Sequence, residues 1–160
     1  MLLKKLIIVS SLVLSINEVS AASASGNLNL SGTISEAVAL IVTPTANATN
    51  LNLSANATDV SIASVAESSN AANGYRILAR STNGSKLIHN ADSSMQLGYT
   101  IKYGASAALT LTTTDAVVKT QNVGANYVGV NSAVSISYSA GTTLKAGTYT
   151  DTITFTVEGL

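Results

Sequence analysis

From Gly147 to Glu158 hydroxylic and apolar side chains alternate: threonine fills every even position from Thr148 to Thr156, and Tyr149, Ile153, Phe155 and Val157 fall on odd ones. A period of two is the mark of a β-strand with one apolar face. Burying four such side chains is worth about 6–12 kcal/mol, comparable with the net stability of a domain. This strand is therefore expected at the centre of a core. Asp151 breaks the apolar phase, and a margin open to water is its expected place, since carboxylates are rarely buried unpaired. A partnered carboxylate is the alternative.

The same alternation recurs along the chain. Leu28, Leu30 and Ile34 share a phase in which Gly32 leaves a gap, predicting a short strand over Gly26 to Ser35. Ala37 to Val42 is almost continuously apolar and predicts a strand buried on both sides, or one that shifts phase, ending at Thr43 and Pro44. Leu51 and Leu53 mark a brief strand; Val60 and Ile62, with Val65 out of phase, mark another that carries a bulge. Asn73 and Gly74 predict a reversal. Tyr75, Ile77 and Ala79 then oppose Arg76, Leu78 and Arg80, and Asn83–Gly84 predicts a hairpin into Leu87 and Ile88. Leu97, Tyr99, Ile101 and Tyr103 form one strand, Leu109 and Leu111 start another, and Val117 and Val118 continue it or begin the next. Asn122 to Asn131 is a long surface connection before Val134, Ile136 and Tyr138, and Ala140–Gly141 turns the chain into the final strand. No window carries apolar residues at helical spacing, while β-branched residues recur throughout. The fold class is all-β, and about eight short strands separated by Asn, Gly and Ser turns predict an immunoglobulin-like two-sheet sandwich, with a barrel as alternative.

Composition narrows the function. Eight basic and eight acidic residues balance, and the basic ones do not cluster, so no nucleic-acid partner is expected. The absence of cysteine excludes a disulfide framework, a thiol nucleophile and thiolate metal sites. Lys4 and Lys5, the apolar run from Leu6 to Ile16 and the small-residue exit Val19, Ser20, Ala21 read as an export signal too short to span a bilayer. The expected organisation is a leader over residues 1–21, an N-terminal strand over 22–35 and a sandwich over 36–160. No membrane span is expected in the mature chain, and its expected destination is secreted, extracellular or the cell surface, by way of the periplasm. Those remaining 139 of the 160 residues are enough for one domain.

Candidate chemistry is sparse. His89 is the one histidine, near Asp92 in an Asn, Ala and Ser segment that reads as a solvated loop, and no serine lies in a nucleophile elbow. Neither an enzyme nor a cofactor or metal is expected. Most tyrosines lie in apolar phases and read as core. Tyr127 sits in a glycine-containing loop, and Arg76 and Arg80 share a strand face where they could hold a carboxylate or an acidic glycan. A charged sheet margin that discourages aggregation is the plainer account of the two arginines. Arg76, Arg80 and Tyr127 are thus the candidate ligand contacts of one reading, a monomeric secreted adhesin or carbohydrate-binding domain for host or prey surface glycans.

Both ends of the chain resemble a known family. Leu28-Asn29-Leu30-Ser31-Gly32-Thr33-Ile34 is similar to the donor strand of pilin subunits of bacterial chaperone–usher fimbriae. The terminal alternating strand, with Gly147 fourteenth from the end, is similar to their last strand. The disulfide-free branch is the nearest in style, and spore coat U-like secreted proteins are similar too. The chain departs from many pilins in lacking a cysteine pair and in carrying Gly159 where a penultimate tyrosine stands. The resemblance implies an incomplete sandwich. Its donor strand is Leu28, Leu30, Gly32 and Ile34, and its acceptor groove is walled by Tyr149, Ile153, Phe155 and Val157. It implies as partners identical or related subunits, a periplasmic chaperone and an outer-membrane usher, and as function a structural subunit of a surface fimbria. The same first segment reads almost equally as the opening strand of a complete sandwich, pairing within its own chain.

Overall fold

The structure, a computed structural model, describes residues 22–122 and 127–160, with the backbone alone at Tyr127. The expected leader lies outside these residues. The chain divides into a unit ending at Thr33 and a second unit, Ile34–Leu160. Residues 22–33 of the first unit form no strand or helix. The strand expected over 26–35 is thus not formed in the single chain, because alternation makes a strand only where a neighbouring backbone supplies the ladder.

The second unit is all-β and sandwich-like, in an immunoglobulin-like layout. Its strands are β1 (Val38–Pro44), β2 (Ala57–Ser69), β3 (Tyr75–Ser81), β4 (Lys86–His89), β5 (Asp92–Gly98), β6 (Thr100–Tyr103), β7 (Ala116–Gln121), β8 (Tyr127–Tyr138), β9 (Tyr149–Thr150) and β10 (Ile153–Gly159). One sheet has the order β1-β2-β8-β6, a second β10-β3-β7 and a third β5-β4-β9. Every pairing is antiparallel. Inward residues from all three sheets make one core, with Val65, Tyr75, Ile77, Ile101 and Val134 at its buried centre.

Several expectations hold. β3 and β8 follow the predicted alternation, and β2 carries its bulge as two register shifts between Ala57 and Ala63. After that bulge Ala63, Val65, Glu67 and Ser69 all point inward and are buried. Gly74 takes φ +98 in the predicted reversal, where a Cβ would run into the Gln121 main chain.

Other expectations are corrected. The terminal strand β10 does not lie centrally: β3 pairs with it on one side only, and it is half-buried throughout. β1 is buried on neither side and runs through Pro44 as the outer strand of its sheet. A missing N–H is tolerated there, and Ile41 is 65 % exposed. Leu51 and Leu53 form no strand and pack on the core from a loop. Leu109 makes a single bridge to Ile101, so two alternating leucines did not suffice for a strand. Asn83–Gly84 turns a corner between sheets rather than a hairpin, since β3 pairs with β10 and β7 while β4 pairs with β5 and β9. The Leu97 to Tyr103 run likewise splits at Tyr99, with β5 beside β4 and β6 beside β8. β8 begins at Tyr127, inside the expected connection, of which residues 123–126 lie outside the described part.

Candidate functional site

Two strand edges lie close together without a ladder partner among the described residues. β1 is the outer strand of the four-stranded sheet and β10 an outer strand of the second sheet. Their Cα atoms approach within 8 Å, yet no ladder joins them among the described residues. Leu40 packs on the core, and Val38 and Val42, in its phase, remain 38 % and 41 % exposed. Across from them Ile153, Phe155 and Val157 pack on the core without being covered, Phe155 meeting the Tyr103 ring at 5.7 Å between centroids. The sandwich is thus lined by apolar side chains along a seam that no strand of the described residues closes.

The seam has two different ends. Glu36, just before β1, places its carboxylate where a Cβ on Gly159 would stand, so the start of β1 meets the end of β10 and the two strands run in opposite directions. At the other end, the segment after β1 and the segment before β10 line an open cavity of about 830 Å³ that includes Leu51, Leu53, Leu87, Leu144 and Tyr149. Tyr149 belongs to β9, not to the β10 wall: its hydroxyl donates to the Lys145 carbonyl at 2.8 Å, and its ring stands edge-on to His89 at 5.0 Å. Of the four sequence-assigned wall residues, Ile153, Phe155 and Val157 line the seam itself, and Tyr149 lines the cavity beyond it. Leu28, Leu30 and Ile34 are 83, 87 and 88 % exposed, and nothing crowds Gly32.

The candidate ligand contacts are not gathered into a site. Arg76 is bound to Glu158, its register partner on β10, with Nε–Oε2 at 2.8 Å. Arg80 faces Asp115 at 3.4 Å. Tyr127 has its side chain outside the described residues. His89 is not in a solvated loop but ends β4, half-buried. Its Nδ1 accepts from the Ala91 N–H at 3.1 Å, which leaves the proton on Nε2, 3.2 Å from the Ala146 carbonyl. Asp92 pairs with Lys145, not with His89. Among the described residues no group of three or more His, Asp or Glu side chains could hold a metal ion, and no helix is long and apolar enough to cross a membrane.

Two carboxylates missed as structural centres anchor this frame. Glu67 on β2 is fully buried: Oε1 accepts from Tyr103 (2.6 Å) and Ser132 (2.7 Å), and Oε2 from Tyr75 (2.7 Å) and Lys119 (2.7 Å). Burial pushes its pKa up, but Lys119 and the three hydroxyls outweigh that and hold it below the usual value. Of the two places expected for Asp151, a wet margin and a partnered carboxylate, it takes the second. Its oxygens accept from Ser81 (2.5 Å), Tyr99 (2.6 Å) and the N–H groups of Asn83 and Thr152, closing the corner between β3 and β4. Burial, then the Asp151 carboxylate, push the Tyr99 phenol far above its usual range. The phase of Val65, carried two residues on, would have placed Glu67 inside.

Fold and seam define an immunoglobulin-like sandwich with two neighbouring edges left unpaired among the described residues. No protein-family model matches the sequence, and neither does any curated protein. Among solved structures the chain is similar to the CooA pilin subunit from enterotoxigenic Escherichia coli, at 17 % identity over 75 % of this chain and 86 % of that one, with a TM-score of 0.44.

Proposed function

We propose that the chain is a structural subunit of an extracellular surface fibre that polymerises by strand addition. In this reading Leu28, Leu30, Gly32 and Ile34 of one copy enter the seam between β1 and β10 of the next. The observation that carries it is the seam itself: two apolar-lined edges side by side, in a chain whose N-terminal segment has the matching alternation and exposes Leu28, Leu30 and Ile34. Unpaired edges template a further strand, with backbone bonds supplying affinity and alternate side chains fixing register. Donor and acceptor are different surfaces, so the contact does not close and repeats into a fibre. A strand paired to both edges would hold them about 9.6 Å apart, twice the usual spacing, so the edges part where they now come within 8 Å.

Burying Leu28, Leu30 and Ile34 contributes about 4–9 kcal/mol before the cost of ordering the segment. An acceptor with an open seam needs a covering partner before assembly, and a periplasmic chaperone, followed by an outer-membrane usher, fits that need. Arg76 and Arg80 are both engaged by carboxylates, so no observation favours the glycan-binding alternative. The test compares the chain from Ala22 with its Leu30→Asp variant, with and without a peptide spanning Gly26 to Ser35. The expected result is heat-stable oligomers for the first, and for the variant a monomer whose melting temperature rises by 10 °C or more on adding peptide. Monomers in both, with melting unchanged by peptide, would defeat the proposal.

A further inference from the structure

The root of the N-terminal segment is held by one side chain. Asn70, just after β2, accepts from the Ala37 N–H through Oδ1 at 2.6 Å, donates through Nδ2 to the Ser35 carbonyl at 3.1 Å, and donates its own N–H to the Ala37 carbonyl at 3.2 Å. These three bonds carry the β1–β2 ladder past its last regular pair, Val38 with Ser69. Between the two clamped residues, Glu36 lays its carboxylate over Gly159 at the end of the seam.

A chain filling its own seam has one route. The backbone must reverse within Ser35 to Ala37 and return beside β1, antiparallel to it and therefore parallel to β10. That reversal breaks both Asn70 side-chain bonds and lifts Glu36 off Gly159. A strand arriving from another copy asks neither Ser35 nor Ala37 to move. We infer that Asn70 is a positioning residue that directs the segment towards a second copy and keeps the chain from occupying its own seam. This rests on the strand-addition reading above. Removing two hydrogen bonds shifts the balance between self-filled and open chains by roughly 5- to 100-fold.

The experiment uses the chain from Ala22 as wild type, Asn70→Ala, Asn70→Asp, Glu36→Ala, Leu30→Asp and the double variant Asn70→Ala/Leu30→Asp. Light scattering gives the mass, and fluorescence polarisation gives uptake of a labelled peptide spanning Gly26 to Ser35. Asn70→Ala is expected to accumulate a monomer whose share does not change on concentration and which refuses the peptide. Adding Leu30→Asp restores uptake, because the seam is then no longer filled from within. Asn70→Asp keeps the acceptor for Ala37 but loses the donor to Ser35, and gives an intermediate shift. Asn70→Asp keeps the test valid should Asn70→Ala fail to fold, and Glu36→Ala is the control: any strand that enters parts β1 from β10, so this variant leaves the balance between self-filled and open chains as in the wild type. A purely structural role for Asn70 would lower the melting temperature without producing a monomer that Leu30→Asp reopens. If Asn70→Ala and Asn70→Asp assemble and take up peptide as the wild type does, the inference is wrong while strand addition stands. If folded Leu30→Asp refuses the peptide, strand addition itself fails and takes the inference with it.

Discussion

Glu67→Gln offers the sharpest stability test, because five strands meet at that carboxylate. Tyr75 comes from β3, Tyr103 from β6, Lys119 from β7 and Ser132 from β8, all within 2.7 Å of Glu67 on β2. An amide has the same shape but one acceptor oxygen. Its NH2 group must face two donors, and Lys119, whose side chain is 24 % exposed, loses its counter-charge. Breaking a buried pair from one side costs about 3–5 kcal/mol, and the partial exposure of Lys119 puts this case at about 3 kcal/mol. For a domain of this size that is a fall of roughly 10 °C in melting temperature. Thermal unfolding at pH 7 reads it, with Lys119→Met and the double variant completing a cycle. The double variant should recover part of the loss, since both charges have gone. Glu67 has a depressed pKa, so its contribution is complete above its ordinary 4.5 and is lost as pH falls through the lower folded value. The gap between wild type and Glu67→Gln should therefore narrow below pH 4.5. A variant melting within 2 °C of wild type at pH 7 would refute the account of Glu67 as the inter-sheet anchor.

Other sites give further tests by thermal or urea unfolding. Gly74→Ala puts a methyl into the Gln121 main chain at φ +98 and should cost at least 2 kcal/mol; a change under 0.5 kcal/mol would contradict that geometry. Asp151→Ala strands the hydroxyls of Tyr99 and Ser81 at the β3–β4 corner and should cost about 2–4 kcal/mol, where a surface carboxylate would cost almost nothing. Asp92→Asn should lower stability at pH 7 slightly and flatten its acid dependence by the same amount. Hydrogen bonds from Lys145 and Ser94 lower Asp92 from 3.8 to about 2, so its share is present above pH 3.8 and lost towards pH 2. An acid profile identical to wild type would exclude that pairing.

Much of the fold was legible because alternation is strong where strands are buried on one face: β3 begins at Tyr75 as its pattern does, Val134, Ile136 and Tyr138 lie on β8, which starts earlier, at Tyr127, and Ile153, Phe155 and Val157 lie on β10, which starts later than its pattern. What alternation does not encode is which edge meets which. β10 has the apolar face of a central strand yet lies outermost, and β1 has the composition of a buried strand yet exposes Ile41. Both discrepancies fall on the seam between these two strands, where apolar positions were counted as covered. Corners were hidden for another reason. The break at Tyr99 and the turn at Asn83 depend on hydroxyl and carboxylate contacts from Ser81 and Asp151, which are distant in sequence. Glu67 was readable in principle from Val65, but a glutamate on a strand is ordinarily a surface residue.

Strand addition is tested most directly by a photo-cross-linking amino acid at position 30 of the full chain from Ala22, irradiated after assembly, with the linked peptides mapped by mass spectrometry. Links that join different chains and fall on Val38–Pro44 and Ile153–Gly159 are the predicted result. Links confined to single chains, or falling on the edges β5, β6 or β7, would contradict it.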